Sequence, residues 1–235
     1  MKKDFMKGLL HGLPIGLGYL SVAFGFGIMA IRGGVSVLAA VGISFSNLTS
    51  AGQAAGISVI AAGGTLIEMA LSQIVINLRY SLMGISLSQK LAPNFSFGKR
   101  LLAAHGITDE IFAVAIAQKE PLTASYFYGL MLIPILGWTS GTFLGAAFGE
   151  ILPENFSNAL GLMLYAMFLA VFVPAAKKEK SVFLCVVLAS SCSILFKYAL
   201  TFVSSGFAII ISAVVAAAVC AAVFPVKEES EENEQ

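Results

Sequence analysis

Charge is what this chain has least of. Charged residues fill 11% of its 235 positions, against about a quarter in a water-soluble domain. With 58% hydrophobic residues and a mean hydropathy of +0.89, that shortage excludes a freely soluble globular protein. Net charge is +1, so there is no basic surplus for nucleic acid. The only three cysteines, Cys185, Cys192 and Cys220, lie in apolar runs without metal-ligand spacing. They read as small packing residues and imply no disulfide framework. His105 has no His or Cys partner at metal spacing and reads as a packed or interfacial side chain, so no metal site is expected. A Gly-x-Ser-x-Gly elbow, a His-Glu-x-x-His zinc motif and a Walker A loop are all missing. These absences argue against an enzyme and against a bound cofactor.

What is present is a succession of apolar segments, which predicts an all-α, multipass membrane bundle of seven or eight segments. Residues 1–8 form a basic N-terminus (Lys2, Lys3, Lys7), 9–225 a transmembrane domain, and 226–235 an acidic tail. The tail reads as solvated and disordered. The basic start imitates a secretory leader, but the run over 9–31 is too long for one and many apolar segments follow.

In that first segment, Pro14 and Gly16 are candidates for a helix break, set among further glycines that suit close helix packing. The next stretch, 35–56, is interrupted by Ser44, Ser46, Asn47, Thr49, Ser50, Gly52 and Gln53. Hydroxyls and amides at that density cannot face lipid. They suit an unwound or re-entrant segment lining a cavity, or a turn at the interface, with Gly52 as a further breaking residue. Segments at 57–73 and 74–88 follow, carrying Glu68 and Arg79 respectively. Glu68 reads either as a proton carrier or as a carboxylate pairing near an interface. Residues 101–118 are apolar except for His105, Thr108, Asp109, Glu110 and Gln118. Thr108 has the position of an N-cap, and Asp109 and Glu110 then occupy a first helical turn, where negative charge is favoured. Apolar segments at 122–148, 158–175, 181–202 and 206–225 complete the chain.

Lysines set the orientation. The N-terminus and the Lys177–Lys180 loop read as cytoplasmic, the Glu150–Glu154 loop as external. Lys90, Lys99, Arg100 and Lys119 all ask for the cytoplasmic side, which a full crossing by 101–118 forbids. Either that stretch re-enters without spanning, or one basic loop breaks the rule. There is also a faint internal repeat: Leu13-Pro14-Ile15 to Phe24-Gly25 is similar to Ile133-Pro134-Ile135 to Leu144-Gly145, about 120 residues on.

The family resemblance carried by the five motifs that follow implies a zwitterionic substrate with an aliphatic side chain, which in low dielectric needs a partner for its carboxylate, another for its ammonium, and an apolar pocket. Arg79 suits the carboxylate, because its planar fork stays charged. Asp109, Glu110 and Glu68 are candidates for the ammonium or a coupling proton. Asn77, Gln53, Asn47 and Ser46 offer neutral hydrogen bonds, and Phe24, Phe112 and Phe168 are candidate pocket walls. Against this stands a purely structural Arg79–Asp109 ion pair.

Five motifs in order resemble the AzlC family: Gly12-Leu13-Pro14-Ile15-Gly16 with Ala23-Phe24-Gly25; Ser46 to Gln53; Asn77-Leu78-Arg79; Thr108-Asp109-Glu110-Ile111-Phe112-Ala113; and Gly161 to Phe168. The likeness runs from about residue 8 to 225. It implies the large subunit of a branched-chain amino acid exporter in the cytoplasmic membrane, with methionine a further candidate substrate. It also implies ion-gradient coupling and a small AzlD-like membrane subunit as partner. A passive channel for small zwitterions and a non-transporting membrane subunit are the rival readings.

Overall fold

The computed structural model describes residues 2–93, 95–149 and 151–225; the acidic tail, with Lys227 and Glu150, lies outside them. Ten helices occur among the described residues: α1 (Lys2–Arg32), α2 (Val37–Ser46), α3 (Ser50–Ala61), α4 (Leu66–Ser88), α5 (Phe97–His105), α6 (Asp109–Ile116), α7 (Ala124–Phe148), α8 (Glu154–Lys178), α9 (Lys180–Tyr198) and α10 (Ser205–Val223). Two compact units divide the chain, Met1–Met167 and Phe168–Gln235.

In the first unit the spine is the pair α1 and α7. Glycines recur every fourth residue on each, Gly8, Gly12 and Gly16 on one, Gly137, Gly141 and Gly145 on the other. The absence of side chains lets the two backbones touch: Gly16 lies on Ile133, Gly137 on Gly16, and Gly145 on Phe24. Contacts run in the same direction along both helices, from Gly8 with Tyr126 to Gly27 with Thr142, so α1 and α7 are parallel. The pairs that meet are about 120 positions apart, the spacing of the sequence likeness.

Pro14 does not break α1. The helix is continuous from Lys2 to Arg32; Gly16 lies in the seam with α7, while Pro14 stands exposed on the other face. Proline removes one backbone donor, a single loss within a helix of 31 residues. A second correction concerns 57–73 and 74–88. The chain turns at Gly63, whose φ of +67° favours glycine, and α4 then runs unbroken for 23 residues, about 35 Å.

The real breaks are at 47–49 and 106–108; Gly52 is not one of them, since it lies inside α3. At roughly 1.5 Å per residue, α2, α3, α5 and α6 each cover only about half of a ~30 Å hydrocarbon core. α2 leaves the C-terminal end of α1 through Gly34 (φ +82°) and descends to Asn47. α3 climbs back, for Ile57 meets Gly33 and packs with Phe26, Ala30 and Ala40. The α2–α3 stretch is therefore a hairpin that returns to the side it came from. α4 then descends antiparallel to α3, with Gly52 beside Asn77 and Gly56 beside Met69.

The α5–α6 stretch mirrors this from the other side. Its start is tied to the beginning of α7, where the Tyr128 hydroxyl donates to the Lys99 carbonyl at 3.1 Å. Its end is tied to the loop after α4, where Lys90 Nζ donates to the Ile116 carbonyl and Leu91 bridges Leu122. Residues 101–118 re-enter without spanning, so Lys90, Lys99, Arg100 and Lys119 share one side with Lys7, which lies over the Tyr126 ring. By the positive-inside rule that side is cytoplasmic. Eight hydrophobic segments result among the described residues, two of them hairpins. In a background lacking the three native cysteines, Cys probes at Lys99 and Lys119 are both expected to react with an impermeant maleimide only from the cytoplasmic face. Labelling from opposite faces would exclude the second hairpin.

In the second unit α9 and α10 pack side by side, with Cys220 Sγ directed at the Ser181 carbonyl at 3.7 Å. α9 buries none of its residues within the unit, and both helices are long and apolar enough to cross a membrane, as are α1 and α7.

Candidate functional site

Two threonines build the centre. Thr49 starts α3 by accepting from the Gly52 amide, and Thr108 starts α6 by accepting from the Ile111 amide. Each caps the returning arm of its hairpin, so two helix N-termini and two helix C-termini (α2 and α5) are delivered to mid-membrane. Leu48, at the first tip, packs into the apolar cluster that holds Ile107 and Ile111 of the second. The full-length helices present their middle residues at the same level: Tyr19 from α1, Arg79 from α4 and Trp138 from α7.

Hydrogen bonds lock the tips to these helices. Gln53 is 2% exposed. Its amide donates to the Asn47 carbonyl at 2.6 Å and to Ser44 Oγ at 3.3 Å, and its oxygen accepts from Trp138 Nε1 at 3.0 Å. Ser44 in turn meets Thr142 at 2.6 Å. On the other side the Tyr19 hydroxyl donates to Thr108 Oγ1 at 2.8 Å and also reaches the Glu110 carboxylate. Tyr19 and Trp138 then touch edge to face, with ring centres 5.1 Å apart, linking the two locks.

Between the tips lies a cavity of about 250 Å³ with a mixed lining: Ser46, Asn47, Leu48 and Thr49 of the first hairpin, Asn77 and Tyr80 of α4, and Ala104, His105 and Ile107 of the second hairpin. Asn77 donates to Gln73 at 3.0 Å, while its own Oδ1 is buried and accepts no hydrogen bond. Tyr80 also receives a 3.3 Å hydrogen bond from Arg79, whose Nη1 pairs with Asp109 at 2.8 Å. The two paired side chains keep 39% and 30% of their surface uncovered by the rest of the protein.

The structure thus brings Ser46, Asn47 and Asn77 together in one cavity and joins Arg79 to Asp109, with Gly52 and Gln53 alongside. It does not bring Glu68 to them: Glu68 is buried in the first turn of α4, eleven positions and about 16 Å before Arg79. Gln53 holds the hairpin together and has both amide hydrogens engaged, and Glu110 is engaged by Tyr19. Neither Phe24 nor Phe112 is among the residues lining this cavity, and Phe168 belongs to the second unit. Sequence reasoning missed Tyr19, Tyr80 and Trp138. For Trp138 a signal existed, since it is the only tryptophan in the chain and sits in a glycine-rich helix. No group of three or more His, Cys, Asp or Glu gathers at metal-binding distance among the described residues.

A helical protein of the cell membrane, with two half-spanning hairpins entering from opposite sides onto a charged pair, is the class these features define. Its sequence matches the AzlC family (AzlC protein) over residues 14–152, and the chain belongs to that family. It is 33% identical over 189 residues to the inner membrane protein YgaZ of Escherichia coli K12, covering 77% of this chain and 76% of that one. An uncharacterised membrane protein of Archaeoglobus fulgidus is also 33% identical, over 74% of this chain and 76% of its own. One from Helicobacter pylori 26695 is 25% identical, covering 83% and 86%. No solved structure matches the chain.

Proposed function

We propose that the protein is the large subunit of a secondary transporter that exports branched-chain amino acids, and methionine, across the cytoplasmic membrane. The observation that carries this reading is the partly uncovered Arg79–Asp109 pair beside a small cavity at the meeting point of the two hairpins. A zwitterion inserts into such a pair without adding net charge to the membrane interior: its carboxylate takes Arg79 and its ammonium takes Asp109, with Asn77 Oδ1 as a second acceptor. Discontinuous helices at mid-membrane are a recurrent setting for this exchange.

Export against an inward proton gradient requires substrate and proton to exclude each other. Asp109 meets that requirement, because the oxygen that takes the ammonium on the way out takes the proton on the way in. The hairpins face opposite sides, so withdrawal of one tip opens the cavity outward and withdrawal of the other opens it inward. A small AzlD-like membrane subunit completes the proposed transporter.

The test is counterflow of labelled leucine in proteoliposomes, with and without that subunit, under imposed pH differences. Wild-type protein is expected to accumulate leucine uphill when the gradient is present. In Asp109→Asn, gradient-driven accumulation is expected to fall to background while leucine–leucine exchange continues at weakened apparent affinity. Retained gradient coupling in that variant discards the role of Asp109. A wild-type flux indifferent to the gradient assigns the protein to passive channels instead.

A further inference from the structure

A second cavity, of about 290 Å³, lies on the other side of the first hairpin's tip. Ser46 and Asn47 line both cavities, so the two share a wall. Their chemistry differs. The first mixes hydroxyl, amide and imidazole groups with Leu48, Ala104 and Ile107, whereas the second is walled mainly by Ile43, Ile57, Ile60 and Met69, with Gly56 on the α3 side. Gln53 and Gln73 also border the second cavity, but their amides are engaged, with Trp138 and Asn47 in one case and with Gly52 in the other.

We infer that this apolar cavity receives the aliphatic side chain of the transported amino acid, and that Gly56 and Met69 set the length of side chain accepted. The inference rests on the reading of the protein as an amino acid transporter and deepens it. An amino acid is polar at one end and apolar at the other, and the paired cavities divide in the same way across Ser46 and Asn47. Branched aliphatic walls, with both glutamine amides engaged and Asn47 confined to the wall shared with the first cavity, favour a hydrocarbon occupant over a polar side chain.

Gly56 is the position at which size is adjustable. A Cβ placed there would stand 3.5 Å from Gln73 Nε2 and 3.6 Å from Met69 Sδ, which is ordinary van der Waals contact. An added methyl therefore shortens the cavity without displacing the helices. Gly52, one turn earlier, offers no such freedom, for a Cβ there would press to 2.7 Å on Gln73 and Thr49. Met69 closes the same space from α4 with a flexible thioether chain, and its truncation lengthens the cavity.

The experiment measures uptake of valine, leucine, isoleucine and methionine separately into proteoliposomes holding wild type, Gly56→Ala or Met69→Ala. Gly56→Ala is expected to keep valine transport and to raise the valine-to-leucine ratio about tenfold, the discrimination that one methylene provides in a pocket. Met69→Ala is expected to move the ratio the other way and to admit phenylalanine. The second variant reports even if the first fails to fold, because it removes atoms and adds none. Ratios equal to wild type in transport-competent Met69→Ala overturn the side-chain site and leave the transporter reading intact. Wild-type protein that moves none of these amino acids overturns both.

Discussion

Arg79→Ala is expected to reduce leucine transport to the background of empty vesicles while leaving the amount of protein in the membrane close to wild type. The two halves of that expectation have different origins. Loss of transport follows from removing the guanidinium beside the cavity, since Tyr80 and Asn77 on the cavity wall carry no positive charge for a carboxylate. Preserved abundance follows from the exposure of the pair. Breaking a sealed ion pair from one side costs about 3–5 kcal/mol, but Asp109 keeps 30% of its surface uncovered and is rehydrated when its partner goes. The double variant Arg79→Ala/Asp109→Ala separates binding from architecture. If the pair merely braces the fold, the double variant transports normally; if it holds substrate, the double variant is as silent as the single one. Abundance by immunoblot and flux in the same vesicles decide between them.

The second large effect concerns the α1–α7 seam. Gly145→Leu is expected to destabilise the protein by about 3 kcal/mol, the upper end of overpacking costs, because the obstacle is main chain. A Cβ at Gly145 would collide with the Phe24 carbonyl, which cannot yield by changing rotamer. Gly18→Leu is the matched control: it lies on the same helix pair, yet nothing stands within 4 Å of a Cβ there. Thermal unfolding of the detergent-solubilised proteins is expected to show a clear drop for the first and none for the second. Equal behaviour would mean that the backbones of α1 and α7 are not in contact.

Much of this architecture is legible in residue order, for reasons that lie in lipid chemistry. Hydrocarbon admits no unpaired polar group, so the run from Ser44 to Gln53 announces a broken segment before any coordinates. Lys90, Lys99, Arg100 and Lys119 pose a topological contradiction with two solutions, and the second hairpin is one of them. What the order of residues does not reveal is partnership across distance. Tyr19 meets Thr108, and Gln53 meets Trp138, over separations of 89 and 85 positions. Nothing in either member of such a pair names the other. The Pro14 expectation failed because proline's local cost is visible in sequence, whereas the 31-residue helix that runs through it is not. The apolar cavity also escaped notice, for Ile57 and Met69 in a membrane segment look like any lipid-facing side chains.

The order of elements in the first unit has one more consequence. A full-length helix followed by a hairpin occurs twice, α1 with α2–α3 and α4 with α5–α6, and the capping threonines of the two sets stand about 60 positions apart. Each set traverses the bilayer once, so its chain finishes on the face opposite to where it began. Tandem duplication of a gene encoding such a set would place the second copy upside down automatically, with no change to its insertion signals. A mirrored pair of entrances then arises from one ancestral half, and α7, opening a third turn of the same rhythm, regains the direction of α1.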